Sequence, residues 1–149
     1  MKKKICIIGL GYIGLPTAAM FSEYGCEVVG VDISEKVVNK LNQGVIHIEE
    51  PGLGEIIKKQ VAKGNFRASL LPEQADAFII AVPTPNLEDE YRSCDLTYVL
   101  EGVKEILPYL QKGNTVIVES TIAPKSMDDF VKPIIEDAGY VIGKDIYLA

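Results

Sequence analysis

Gly9, Gly11 and Gly14 stand at G-x-G-x-x-G spacing directly after the apolar run from Ile5 to Ile8, and Asp32 closes the next apolar run. Three glycines alone are a weak signal. A strand, a glycine turn, a helix, a second strand and an acid in that order define a dinucleotide site. Gly9 lets the chain reverse out of a buried strand without a Cβ clash. Gly11 lets backbone N–H groups approach a pyrophosphate, and Gly14 lets the next helix lie tight on the sheet. That helix, Tyr12–Tyr24, aims its positive end at the phosphates, an attraction of about 0.3–2 kcal/mol. Asp32 accepts hydrogen bonds from the adenosine ribose, and a 2′-phosphate there would meet the same charge, so NAD is expected over NADP. Lys36, a nearby cation, softens that preference.

Apolar runs alternating with helical patterns must position these groups, the mark of a parallel sheet covered on both faces. Strands are predicted at Lys4–Gly9, Glu27–Asp32, Phe66–Ser69, Ala77–Val82, Thr115–Glu119 and Asp145–Ala149. Helices are predicted at Tyr12–Tyr24, Ser34–Gln43, Leu53–Lys63, Leu96–Leu110 and Lys125–Ala138, with a short helical turn at Pro72–Ala75. Ser34 suits an N-cap, and Gly25, Gly44, Gly64, Gly113 and Gly139 fall where helices should stop. The expected fold is a Rossmann-type α/β domain, a doubly wound six-stranded parallel sheet in three layers with order 3-2-1-4-5-6. The crevice then lies between strands 1 and 4, with Thr84 opposite the glycine turn and Ser120 and Thr121 delivered to the same edge. Hydroxyls there suit a ribose, an amide or an ordered water; turn chemistry is the alternative for Thr84.

Two connections exceed the usual ~2–6 residues, namely 44–52 and 83–94. The second carries Glu88, Asp89 and Glu90, either a wall of the site or a solvated loop. His47, between Ile46 and Ile48, reads as a packed side chain rather than an acid–base group, and Glu49 and Glu50 read as helix-entry charges. Cys6 and Cys26 read as small buried hydrophobes and Cys94 as an exposed thiol; none has nucleophile or C-x-x-C context. With one histidine in the chain, no metal site is expected. A net charge of −6 argues against nucleic acid or an anionic membrane as partner. No apolar stretch suits a membrane span or signal peptide, so a cytoplasmic location is expected.

Taken together, Gly-Leu-Gly-Tyr-Ile-Gly-Leu-Pro at 9–16, Val-Asp-Ile at 31–33, Glu-Pro-Gly-Leu at 50–53, Val-Pro-Thr-Pro at 82–85, Asp-Leu-Thr-Tyr-Val at 95–99 and Glu-Ser-Thr at 119–121 resemble the N-terminal domain of the UDP-glucose/GDP-mannose dehydrogenase family. The motifs span nearly the whole chain. Those at 46–53 and 81–85 resemble the UDP-N-acetylmannosamine dehydrogenase branch most; the UDP-glucose branch is the alternative. The resemblance implies a two-step oxidation of a sugar-nucleotide C6 alcohol to a carboxylate, using two NAD and a cysteine-bound thioester, in polysaccharide precursor synthesis. It implies that Gly9, Gly11, Tyr12, Ile13 and Gly14 cradle pyrophosphate, that Asp32 binds ribose, and that Thr84 and Thr121 touch the cofactor. Thr121 also stands near the reacting centre, and Lys36 stands within one residue of the family's basic position.

The family's catalytic cysteine, lysine, asparagine and acids have no counterpart here, and Cys94 does not match the cysteine's motif. The UDP-sugar domain and the central helix through which the parent is expected to form a homodimer are absent as well. The expectation is therefore a cofactor domain, residues 1–149, that binds NAD without turnover, because a substrate held against the nicotinamide needs a second wall. A 6-phosphogluconate-type or 3-hydroxyacid dehydrogenase shares the glycine turn but lacks the 50–53 and 82–85 motifs. A nucleotide-sensing module is complete at this length but has no use for hydroxyls beside the nicotinamide.

Overall fold

Runs of β-branched and aromatic residues become the buried parallel strands. The computed structural model describes residues 2–88, 90 and 93–149. Among them, six strands form one parallel sheet: β1 (Lys4–Ile8), β2 (Glu27–Val31), β3 (Phe66–Ser69), β4 (Ala77–Ile80), β5 (Asn114–Val118) and β6 (Ile146–Leu148). Their order is β3-β2-β1-β4-β5-β6, as expected. The order reverses between β1 and β4, which pair from Ile5 with Ala77 to Ile8 with Ile80. That reversal opens a crevice at the carboxyl ends of these two strands.

Alternate side chains of each strand feed two separate cores. One face packs Ile5, Ile7, Val28 and Ile79 under α1 (Gly14–Glu23), α2 (Glu35–Asn42) and α3 (Leu53–Lys63). The other packs Cys6, Ile8, Val29, Phe78 and Ile80 under α4 (Thr97–Ile106) and α5 (Lys132–Asp137). Phe78 is fully buried in the central strand β4, and truncating such a ring costs about 3–5 kcal/mol. Burial also pushes the Cys6 thiol up to about 11, which keeps it protonated and inert at neutral pH.

Helix boundaries depart from the expected ones for local reasons. Ser34 caps α2 by accepting from Val37 N–H, as its position suggested. The first helix starts at Gly14, two residues later than expected, because 9–13 is spent on the turn. The fourth ends in a 3₁₀ turn, Leu107–Tyr109, where Pro108 withholds its N–H. The fifth begins as a π-helical segment, Met127–Val131, and becomes α-helical from Lys132. Pro133 cannot donate to the carbonyl four residues back, so the hydrogen-bond register slips upstream of it.

The predicted helical turn at Pro72–Ala75 is not helical. Four residues give too few hydrogen bonds to offset nucleation, while side chains tie this segment down elsewhere. Glu73 pairs with both Arg67 and Lys4, and Asp76 accepts from the Lys4 N–H at 2.8 Å. The hydrogen bond from Arg67 holds the Glu73 carboxyl at about 2, well below its ordinary 4.5; burial opposes this and Lys4 assists. A depressed folded value stabilises fully above about pH 4.5 and is lost as the pH falls towards 2. The pair is partly exposed, so Glu73→Gln should flatten the acid limb of stability by only about 0.5–1 kcal/mol, read from urea midpoints across that window.

Candidate functional site

The turn after β1 is held from β2. Gly9 N–H donates to Val31 O at 2.8 Å. Asp32 is clamped by backbone on both oxygens: Oδ2 accepts from Leu10 N–H at 3.3 Å and Oδ1 from Ser34 N–H at 2.9 Å. Each carboxylate oxygen keeps a further lone pair for an incoming donor. The acid is thus oriented in advance, half-buried at the end of its strand.

Each glycine of the motif has a different steric reason. Gly9 adopts φ +93°, and a Cβ there would fall 2.6 Å from Ala81 O. A Cβ on Gly14 would fall 1.8 Å from Gly9 O, so the helix starts against the strand's last carbonyl. A Cβ on Gly11 would meet nothing within 4 Å. Its hydrogens face the open space of the cleft. No side chain caps α1 and its first turn holds no acid. Leu15 and Thr17 N–H are taken by the Gly11 and Ile13 carbonyls and Pro16 has none, so the Gly14 N–H and the helix's positive end are what is open to an anion.

These groups line a cleft of about 690 Å³. Gly9, Gly11, Tyr12 and Ile13 form one wall, Asp32 and Ile33 its end, and Ala81, Val82 and Pro83 the opposite lip. Ile8 and Val31 floor it. The far wall is a stripe on α4, Tyr98, Glu101, Gly102 and Glu105. Sequence reasoning missed that stripe. Residues 98, 101, 102 and 105 share one helical face, but in the chain that face reads like any solvated one. Gly102 is the reason α4 comes so near, since a Cβ there would sit 3.2 Å from Ile80 Cγ2. Gly30 was missed as well; it makes room for Leu10, whose Cδ2 would lie 2.6 Å from an added Cβ.

The remaining predicted residues stand outside the cleft lining. Thr84 is half-buried in the segment after Val82, Thr121 is exposed past the end of β5, and Lys36 is exposed in the first turn of α2. The Ser120 hydroxyl is not a free group at the edge: it donates to Val82 O at 2.8 Å, tying the ends of β5 and β4. Cys94 is not an exposed thiol either. It is half-buried, and its Sγ donates to Thr121 O at 3.4 Å. The neck of its loop is closed by Asn86 opposite Cys94 and by Asp95 N–H on Pro85 O, so Thr84 and Thr121 share one scaffold. Of the acidic loop, Glu88 and Glu90 are exposed and Asp89 lies outside the described residues. Thr17 on α1 donates to Glu119 Oε1 at 3.1 Å, bracing helix against strand end.

Away from the cleft, His47 is half-buried and its Nδ1 has no hydrogen-bond partner among the described residues, while Cys26 is half-buried against the first core. Among the described residues no group of His, Cys, Asp and Glu has the arrangement of a metal site. No helix among them is long and apolar enough to cross a membrane.

A doubly wound sheet with an uncapped helix end, a glycine cradle and an oriented acid at its switch point defines a dinucleotide-binding domain of the Rossmann type. The chain belongs to the UDP-glucose/GDP-mannose dehydrogenase family, whose NAD binding domain matches residues 3–149. It is 51% identical over 149 residues to UDP-N-acetyl-D-mannosamine dehydrogenase of Methanococcus maripaludis, covering 99% of this chain and 33% of the relative. The solved UDP-N-acetyl-mannosamine dehydrogenase Cap5O of Staphylococcus aureus superposes with a TM-score of 0.95 at 57% identity, over 97% of this chain and 35% of that one. GDP-mannose dehydrogenase of Pseudomonas aeruginosa gives 0.87 at 32% identity, over 97% and 34%. The chain therefore spans about a third of the length of the relatives it matches.

Two alanine substitutions separate cradle from scaffold. Gly11→Ala should leave the melting temperature unchanged and weaken NAD at least ~10-fold in calorimetric titration, because the added methyl occupies only ligand space. Gly14→Ala should cost more than about 3 kcal/mol in chemical denaturation, because its methyl meets a carbonyl that cannot yield.

Proposed function

We propose that this domain supplies the cofactor half of a UDP-sugar 6-dehydrogenase that oxidises UDP-N-acetylmannosamine to its uronate. The observation that carries the reading is the Gly11 cradle at the uncapped end of α1, with Asp32 oriented beside it. In this reading, Gly9 shapes the turn, amides of residues 11–14 hold the pyrophosphate, and Asp32 accepts from both hydroxyls of the adenosine ribose. NAD, when bound, accepts a hydride from the sugar carbon. Thr84 and Thr121 bracket the other half of the cofactor, and the Thr121 hydroxyl lies beside the reacting centre. The Cys94 and Ser120 hydrogen bonds fix the backbone that carries these two threonines. Lys36 approaches the adenosine phosphate side from α2.

The choice of sugar rests on the relatives, among which UDP-N-acetyl-D-mannosamine dehydrogenases recur at 44–51% identity. The remaining two thirds of such enzymes would carry the sugar-nucleotide wall and the covalent chemistry. The parent protein is proposed to be a soluble homodimer.

Two measurements test this reading. Titration of the domain should give binding of NAD, with NADP weaker by at least ~10-fold and the preference erased by Asp32→Ala. In the whole enzyme, Thr121→Ala should lower kcat about 10- to 100-fold with UDP-N-acetylmannosamine. Unchanged turnover would remove Thr121 from the site, and equal NAD and NADP affinity would remove Asp32.

A further inference from the structure

Among the described residues, one carboxylate oxygen is buried with nothing to bond to, Oε2 of Glu119. Glu119 follows the last residue of β5, and its N–H donates to Ile80 O at 2.8 Å, which holds it beside the end of β4. Its side chain lies on the α1 face of the sheet, where the Thr17 hydroxyl donates to Oε1 at 3.1 Å. That hydroxyl has a single hydrogen, so Oε2 gains nothing from it. Glu119 has no ion-pair partner among the described residues. A carboxylate oxygen shut off from water and left without a donor costs free energy that a well-packed rim has no reason to keep. Such an orphan on a binding edge points to a donor that arrives from outside the chain.

The place of Glu119 identifies the donor. The inference rests on the NAD reading above, in which the adenosine half of the cofactor lies by Asp32 at the end of β2. A dinucleotide spans the switch point, so its other half lies over the ends of β4 and β5, where Glu119 stands. The α1 face is open there: Ile117, two residues back, is only partly buried, and Tyr147 on β6, beside Thr115, is 53% exposed. The nicotinamide ring carries one strong hydrogen-bond donor, the –NH2 of its carboxamide. We propose that Glu119, steadied by Thr17, accepts from that –NH2 and makes the domain selective for nicotinamide over the nicotinic acid form of the cofactor. The terminal torsion of a glutamate is soft, so a turn of the carboxylate presents Oε2 to the incoming amide. A nicotinic acid ring would instead bring a second carboxylate against Glu119, two like charges with no hydrogen between them.

The test is calorimetric titration of the domain with NAD, with its nicotinic acid analogue and with ADP-ribose, which lacks the ring, repeated on Glu119→Gln. The wild-type domain should bind NAD at least ~10-fold more tightly than the nicotinic acid analogue. A glutamine keeps the acceptor for Thr17 and offers an –NH2 in place of Oε2. That group suits a carboxylate and, with the amide turned over, a carboxamide oxygen. Glu119→Gln should therefore bring the two dinucleotides within about twofold, mainly by strengthening the analogue, while ADP-ribose affinity and melting temperature do not fall. Equal affinity for the two dinucleotides in the wild type, or a preference that survives Glu119→Gln, would overturn the proposal and leave the NAD reading intact. A variant that loses ADP-ribose as well would show Glu119 to be a brace of the rim alone, which equally overturns it. Failure of the wild-type domain to bind NAD and ADP-ribose would overturn both.

Discussion

Everything at this site depends on how closely three backbone segments approach one another. The carbonyl of Gly9 lies where a Cβ of Gly14 would have to be, and the Ala81 carbonyl lies 2.6 Å from where a Cβ of Gly9 would stand. The end of β1, the start of α1 and the first residue past β4 thus meet without an intervening side chain. No L-residue other than glycine permits this, on steric grounds at Gly14 and on both steric and φ grounds at Gly9. Once the helix is pinned there, its N-terminal end, entered through Tyr12 and Ile13, stands at the cleft.

The second constraint is electrostatic. The chain is acidic overall, with a net charge of −6, yet its cofactor is an anion. The attraction is therefore local. It comes from peptide dipoles and unpaired amides at one helix end, which act within the first turn and are little affected by distant charge. Acids line other parts of the cleft, Asp32 at the end of β2 and Glu101 and Glu105 on α4. The cleft thus combines a positive helix end with a negatively charged lining.

Support for these elements comes from packing on both sheet faces and from short ties across strand ends. Thr17 with Glu119, Ser120 with Val82 and Cys94 with Thr121 all bridge segments distant in sequence. They convert strand termini, which would otherwise fray, into a fixed rim. Ser120 and Cys94 therefore act through the backbone they hold, a different task from the ones their positions suggested.

The strands were legible because continuous β-branched runs between turn residues have few alternatives in a domain of this size. The glycine turn and Asp32 were legible because each residue's role follows from local geometry. The Pro72–Ala75 segment was not, since ion pairs to β1 and β3 outweigh a four-residue preference. Nor was the α4 wall: Tyr98, Glu101 and Glu105 look like an ordinary solvated face until Gly102 brings that helix to the crevice. By itself, then, the sequence determined the elements, their order and the cradle, because these rest on interactions between near neighbours. Which side chains face one another across the cleft was decided by tertiary structure alone, because long-range packing, unlike local propensity, leaves no periodic trace in the chain.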